Sequence, residues 1–196
     1  MSKDRLAAFM DAVLAIIMTI LVLELPKPDP VTLDGVLALG NTYVTYILSF
    51  FWLGTMWIGL HNEWHHIRVI NNKIVWLGII LLFVTSWIPY SMSVVALDPM
   101  NRLAQGLYGV SVLLVTFVNM ILSFALYRCH YDIEECDSER HKWLLKIRYI
   151  PDIIIKIIGI YVALFVYPPA MIYAVFLAML WMIFPFERFY DKKKSL

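Results

Sequence analysis

Apolar residues in this chain gather in long runs, and most charged residues fall in the stretches between them. A helix crossing a hydrocarbon core about 30 Å thick needs roughly 20 predominantly apolar residues. Six segments meet or approach that length, at residues 7–25, 36–61, 74–97, 103–127, 149–167 and 169–187. Pro26, Pro28 and Pro30 stop the first segment, and Pro168-Pro169 parts the fifth from the sixth, because proline lacks the N–H that continues a helix. Pro151 reads as the start of the fifth helix, with Asp152 suited to its N-terminal dipole. The longest polar stretch, 128–148, reads as a loop. The roughly 10-residue alternating segments of a membrane β-barrel do not occur. The pattern predicts an all-α integral membrane protein, a single domain of six transmembrane helices over residues 1–196.

Composition agrees with this class. Hydrophobic residues make up 61% of the chain and charged residues 16%, where a soluble domain averages about 45–50% apolar. The first run is too long for a cleaved signal peptide, and no small-residue cleavage site follows it. Lys3 and Arg5 precede the first segment, and Arg68 and Lys73 lie between the second and third. Arg128, Arg140, Lys142, Lys146 and Arg148 lie between the fourth and fifth, and Arg188, Lys192, Lys193 and Lys194 follow the sixth. The opposite loops carry only Lys27 and Arg102, beside Asp29, Asp34 and Asp98. The positive-inside rule then places both termini and the 128–148 loop in the cytoplasm, and an even number of crossings agrees. The net charge of +1 is a consequence of topology and gives no reason to expect nucleic acid. Cys129 and Cys136 fall in the reducing compartment and are not expected to pair. With His130 and His141 they lack the paired spacing of a zinc module.

Polar groups inside apolar helices are costly and usually face protein or water. In the first segment Ile16, Thr19 and Leu23 share one face, with Asp11 and Arg5 a turn or two earlier. Spacing alone favours a packing face with Arg5 snorkelling to the headgroups; the alternative is a pore face with Thr19 as a polar step. Thr42, Thr45 and Ser49 in the second segment form one small-polar stripe. Gln105, Gly109, Val112, Thr116, Asn119 and Ser123 in the fourth form another. Such stripes ordinarily mediate helix contacts. Asp152 and Lys156 form an i, i+4 pair, read as self-neutralising near the interface, with a proton or ion relay as the alternative. His61, His65 and His66 cluster at one membrane end, but Glu63 is misplaced for an H-E-x-x-H zinc motif. No phosphate loop, nucleophile elbow or nucleotide fingerprint occurs, so no enzyme activity is expected.

Arg5-x-x-x-Phe9-Met10-Asp11, followed by Ala15-Ile16-x-x-Thr19-Ile20-x-x-Leu23-Glu24, resembles the first-helix signature of the transmembrane protein 175 family of potassium channels. Tyr46-x-x-Ser49-Phe50 with Trp57-x-x-x-His61 resembles the family's second helix. Asn72-x-x-x-Trp76-Leu77, Leu81-Leu82-Phe83 and Ile88-Pro89-Tyr90 resemble its third. The likeness covers residues 5–97, about half the chain. Two positions depart from it: Met10 stands where the motif has serine, and Gly78 where a polar residue, often Asn, is expected.

The resemblance implies a potassium-permeable channel with the first helix lining the pore. Ile16 falls on the narrow constriction, Thr19 on a hydroxyl position, and Leu23 on a second apolar ring, with Ile20 beside them. Arg5, Phe9 and Asp11 fall on a network tying this helix to the next two, with Trp57 and His61 as partners. The signature occurs once, so one chain cannot enclose a pore, and the resemblance implies a homotetramer. Glu24, at the outer mouth, would draw cations in. No cofactor is implied beyond permeant K+. The lack of a second six-helix repeat points to a bacterial or archaeal plasma membrane. Two other readings stay open: a secondary transporter using Asp152–Lys156 and the fourth-segment stripe, and a metal- or haem-binding membrane protein using His61, His65 and His66.

Overall fold

The computed structural model describes residues 2–65, 67, 70–131 and 138–184. Among them the regular structure is helical throughout: α1 (Lys3–Leu23), α2 (Leu33–Ala38), α3 (Gly40–His65), α4 (Asn72–Thr85), α5 (Ile88–Leu97), α6 (Arg102–Tyr131), α7 (Ser138–Phe165) and α8 (Ala170–Ile183). Four stretches are long and apolar enough to cross a membrane: α1, α3, α4 with α5, and α6. α8 is apolar but shorter, and the charges along α7 keep it from qualifying on composition.

Several predicted boundaries are corrected. The second segment, expected from 36, divides into the short α2 and a long α3 that runs on to His65. Thr32 caps α2 by accepting the Gly35 N–H at 3.2 Å. The third segment breaks after Thr85, four residues before Pro89, because the proline ring excludes the i−4 carbonyl and removes its donor. Its two pieces still make one 26-residue span.

The largest correction concerns 128–148, expected as a loop. α6 continues to Tyr131 and α7 begins at Ser138, so helix occupies most of it. Charge ends an apolar run without ending a helix, and residues 138–150 contain no glycine or proline. Tyr127, Leu145 and Tyr149 give this extension its own small core. Pro151 therefore lies inside α7 and Asp152 nearly four turns past its start. The carbonyl that Pro151 leaves without an intrahelical donor, that of Ile147, accepts the Trp181 indole N–H from α8 at 3.0 Å. The predicted end of the sixth segment at 187 lies outside the described residues.

α6 is the hub, touching α3, α4, α5, α7 and α8, whereas α1 rests chiefly on α3, α4 and α5. The small-polar stripes lie in these contacts, as expected of them. Ser49 and the Tyr108 hydroxyl meet at 2.8 Å between α3 and α6. Gln105, Gly109, Val112, Thr116, Asn119 and Ser123 are all buried.

Candidate pore-lining helix

α1 has two faces of different fate. Leu6, Met10, Leu14, Ile17 and Leu21 are buried against the rest of the chain. Ala8, Phe9, Ala12, Ala15, Ile16, Thr19, Ile20 and Leu23 make an exposed stripe at helical spacing. Ile16 is 57% exposed and Leu23 78%. α1 is also the least enclosed of the four spans, with 28% of its apolar window buried against 39–50% in the others. The helix forms because residues 3–23 hold neither proline nor glycine, and it ends at Glu24, two residues before Pro26.

The Thr19 hydroxyl donates to the Ile16 carbonyl at 2.8 Å within its own helix. Its proton is thus committed, and the oxygen lone pairs face outward on the stripe, where they can accept from water or coordinate a cation. Glu24 is half-buried at the end of α1.

Of the expected network, the structure joins Asp11, Trp57 and His61. The Trp57 indole N–H donates to Asp11 Oδ1 at 2.8 Å, and the Trp57 and His61 rings lie 5.3 Å apart. Arg5 and Phe9 are not joined to this group and stand exposed on the single chain. Met10 turns inward instead, against Gly78 on α4: a Cβ there would lie 2.9 Å from its sulfur. The two departures from the family pattern are thus one contact, in which a long apolar side chain occupies the room a second side chain would need.

A buried polar cluster was not foreseen. The Lys156 ammonium lies 2.7 Å from Asp152 Oδ2 with both side chains fully enclosed, donates to Thr116, and stands 5.0 Å over the Trp52 ring. The expected interfacial pair is therefore in the centre of α3, α6 and α7. Nearer the end of α3, Arg148 approaches Glu63 at 3.8 Å, and the Tyr149 hydroxyl meets Asn119 and Ser123 at 3.0 and 2.8 Å. Gly59 lets the guanidinium through, since a Cβ there would overlap it. In the sequence Glu63 falls within the histidine cluster and Arg148 within the basic 128–148 stretch. Their opposite charge at the ends of two polar stretches was the available signal.

Among the described residues no three His, Cys, Asp or Glu side chains are arranged to hold a metal. His66 lies outside those residues, as do Cys136 and the side chains of His65, Cys129, His130 and His141, so the histidine and cysteine readings fall there.

The helices and this unpartnered apolar face define a multi-pass, all-α membrane protein. The family model for the endosomal/lysosomal potassium channel TMEM175 matches residues 5–89. A potassium channel of Chryseobacterium sp. (strain P1-3) is 28% identical over 183 residues, covering 93% of this chain and 94% of its own. A potassium channel of Streptomyces collinus is 27% identical over 62% of this chain and 61% of its own. One of Chamaesiphon minutus is 30% identical over 54% of this chain and 56% of its own. The crystal structure of a lysosomal potassium-selective channel TMEM175 homologue from Chamaesiphon minutus superposes with a TM-score of 0.67, at 20% identity, covering 91% of this chain and 97% of that one. Over residues 5–89 the chain is thus similar to the TMEM175 family, and it shares the all-helical fold of that homologue.

Proposed function

We propose that this protein conducts potassium ions passively through a pore lined by α1 from each of four identical subunits. The observation that carries the reading is the exposed stripe Ile16–Thr19–Ile20–Leu23 on the face of α1 that the chain itself leaves uncovered. A fourfold arrangement brings these side chains into rings. The potassium channels among its relatives support the choice of ion. The reading takes the chain as one domain of six crossings, with α7 and α8 as the last two; the charge distribution supports both termini in the cytoplasm.

A ring of isoleucine offers no oxygen to replace an ion's water, unlike a carbonyl filter. Passage past Ile16 then requires partial dehydration, which costs potassium less than the smaller, more tightly hydrated sodium. Selectivity is accordingly modest. The outward lone pairs of Thr19 return part of the lost coordination one turn further on. Leu23 forms a second apolar ring, and both rings close the pore when they dewet. Glu24 concentrates cations at the outer mouth. Asp11 and Trp57 hold the inner half of α1 against α3, with His61 stacked behind; Arg5 and Phe9, exposed in one chain, meet the neighbouring subunit. Permeant K+ is the cargo, and no cofactor or catalytic step enters. The membrane is the plasma membrane of a bacterium or archaeon.

The test is ion flux in proteoliposomes under potassium or sodium gradients. Wild-type protein carries potassium faster than sodium, and Ile16→Ala brings the ratio toward unity while raising total flux. Unchanged permeation after Ile16, Thr19 and Leu23 are all replaced by alanine sinks the proposal. Flux that saturates and is driven by a proton gradient replaces it with a transporter.

A further inference from the structure

A groove of about 500 Å³ lies between the start of α4 and the end of α6, outside the α1 face and the buried polar cluster. That volume is within the roughly 300–1,000 Å³ of small-molecule sites. Lys73 and Arg128 stand at its mouth, both exposed, and Leu77, Ile121, Phe124 and Ala125 line it. The order of these residues along the helices sets its shape. Leu77 lies one turn from Lys73, while Ala125, Phe124 and Ile121 lie one to two turns from Arg128. The apolar wall thus descends about 10 Å from the two cations toward the middle of the membrane.

Among the described residues no acidic side chain lines the groove and neither cation has an ion-pair partner. Asn71 contributes no free acceptor of consequence, because its Oδ1 already caps α4 by accepting the Ile74 N–H at 3.0 Å. The site thus has two positive charges at the headgroup level and a hydrocarbon-lined trough below them. A neutral apolar ligand leaves the cations unused, and a free anion leaves the trough unused. Basic pockets between membrane helices on the cytoplasmic side suit anionic lipid headgroups.

The geometry points to a binding site for one anionic phospholipid of the cytoplasmic leaflet, its phosphate between Lys73 and Arg128 and an acyl chain along Leu77, Phe124 and Ile121. The leaflet rests on the orientation proposed above; the site itself does not. Because α4 backs the buried face of α1 through Met10 and Gly78, a lipid seated here presses on the helix that supports the pore lining.

Native mass spectrometry of the detergent-solubilised full chain, titrated with phosphatidylglycerol or phosphatidylcholine, tests this without any measurement of ion flux. Wild-type protein retains phosphatidylglycerol over phosphatidylcholine. Lys73→Ala with Arg128→Ala weakens retention roughly 25-fold, about fivefold per cation removed. Lys27→Ala with Arg102→Ala, which removes the same charge from the opposite end, leaves it unchanged. Ala125→Phe, which fills the trough and keeps both cations, also weakens it. Equal retention of the two lipids by wild type overturns the proposal. So does equal loss in both charge-removing variants, or full retention by Lys73→Ala/Arg128→Ala. A protein that fails to conduct potassium but passes these tests overturns the channel reading alone.

Discussion

At the scale of single residues, the pairing of Met10 with Gly78 explains how this chain departs twice from the TMEM175 pattern it resembles without leaving the fold. Serine at position 10 would make room for a polar side chain at 78; methionine fills that room and commits 78 to glycine. Overpacking a membrane-helix contact of this kind costs about 1–3 kcal/mol, and Met10→Ser leaves a cavity of comparable cost. Each of Met10→Ser and Gly78→Asn is expected to lower the apparent melting temperature in detergent. The double variant should lose less than the sum, with a coupling of about 0.5–3 kcal/mol. Strict additivity would show that the two sites are independent. Thr19 illustrates a different residue-scale point. Its hydroxyl proton is satisfied inside the helix, so an exposed polar side chain on an apolar face carries little penalty when unoccupied and still presents an acceptor.

At the scale of elements, proline has three outcomes in one chain. Pro26 follows the end of α1. Pro89 breaks one span into α4 and α5. Pro151 does neither, and α7 runs straight through it. The difference lies in what happens to the orphaned carbonyl. At Pro151 the Trp181 indole N–H supplies the missing hydrogen bond to Ile147, and that bond also ties α8 to α7. Trp181→Phe keeps the apolar bulk and removes the donor. It should cost about 1 kcal/mol, the low end of the penalty for an unsatisfied carbonyl because this one is only partly buried, read as a lower melting temperature. Pro151→Ala restores an intrahelical N–H, so the same Trp181→Phe change in that background should cost much less. An equal loss in both backgrounds would mean that Trp181 acts through packing alone. The close approach of α7 and α8 elsewhere depends on Gly159, where a Cβ would overlap that of Ala174.

At the scale of the whole molecule, the chain divides its burial unevenly. α6 is surrounded and carries the polar contacts, while α1, whose apolar window is the most hydropathic of the four spans, is the least covered. A single transmembrane unit gains nothing by displaying Thr19 and a run of alanines to lipid, but an assembly that buries the stripe around a shared axis does. Light scattering of the purified protein, corrected for detergent, should therefore give four times the 22.8 kDa chain mass. Ile16→Glu, which places like charges around the axis, should shift it toward smaller species. A wild-type protein that stays monomeric in mild detergent and in nanodiscs removes the pore.

The membrane class, the runs that become helices and the motif on α1 were all readable from the order of residues, because a 20-residue apolar run has few alternatives in water or lipid. Hydropathy failed where it was asked about ends. The 128–148 stretch is polar yet mostly helical, since charge and helicity obey different physics, and Pro151 was tolerated because a tryptophan 30 residues later satisfies what it disrupts. Opposite charge alone could not fix Glu63 against Arg148, nor could sequence join Lys156 to Thr116 and Trp52, for these contacts cross between helices and depend on which faces meet. The two faces of α1 show the division most clearly. Its residues and their spacing were legible from the start, whereas which face the chain covers and which it leaves open is a property of packing, settled by the side chains of α3, α4 and α5 that lie against it.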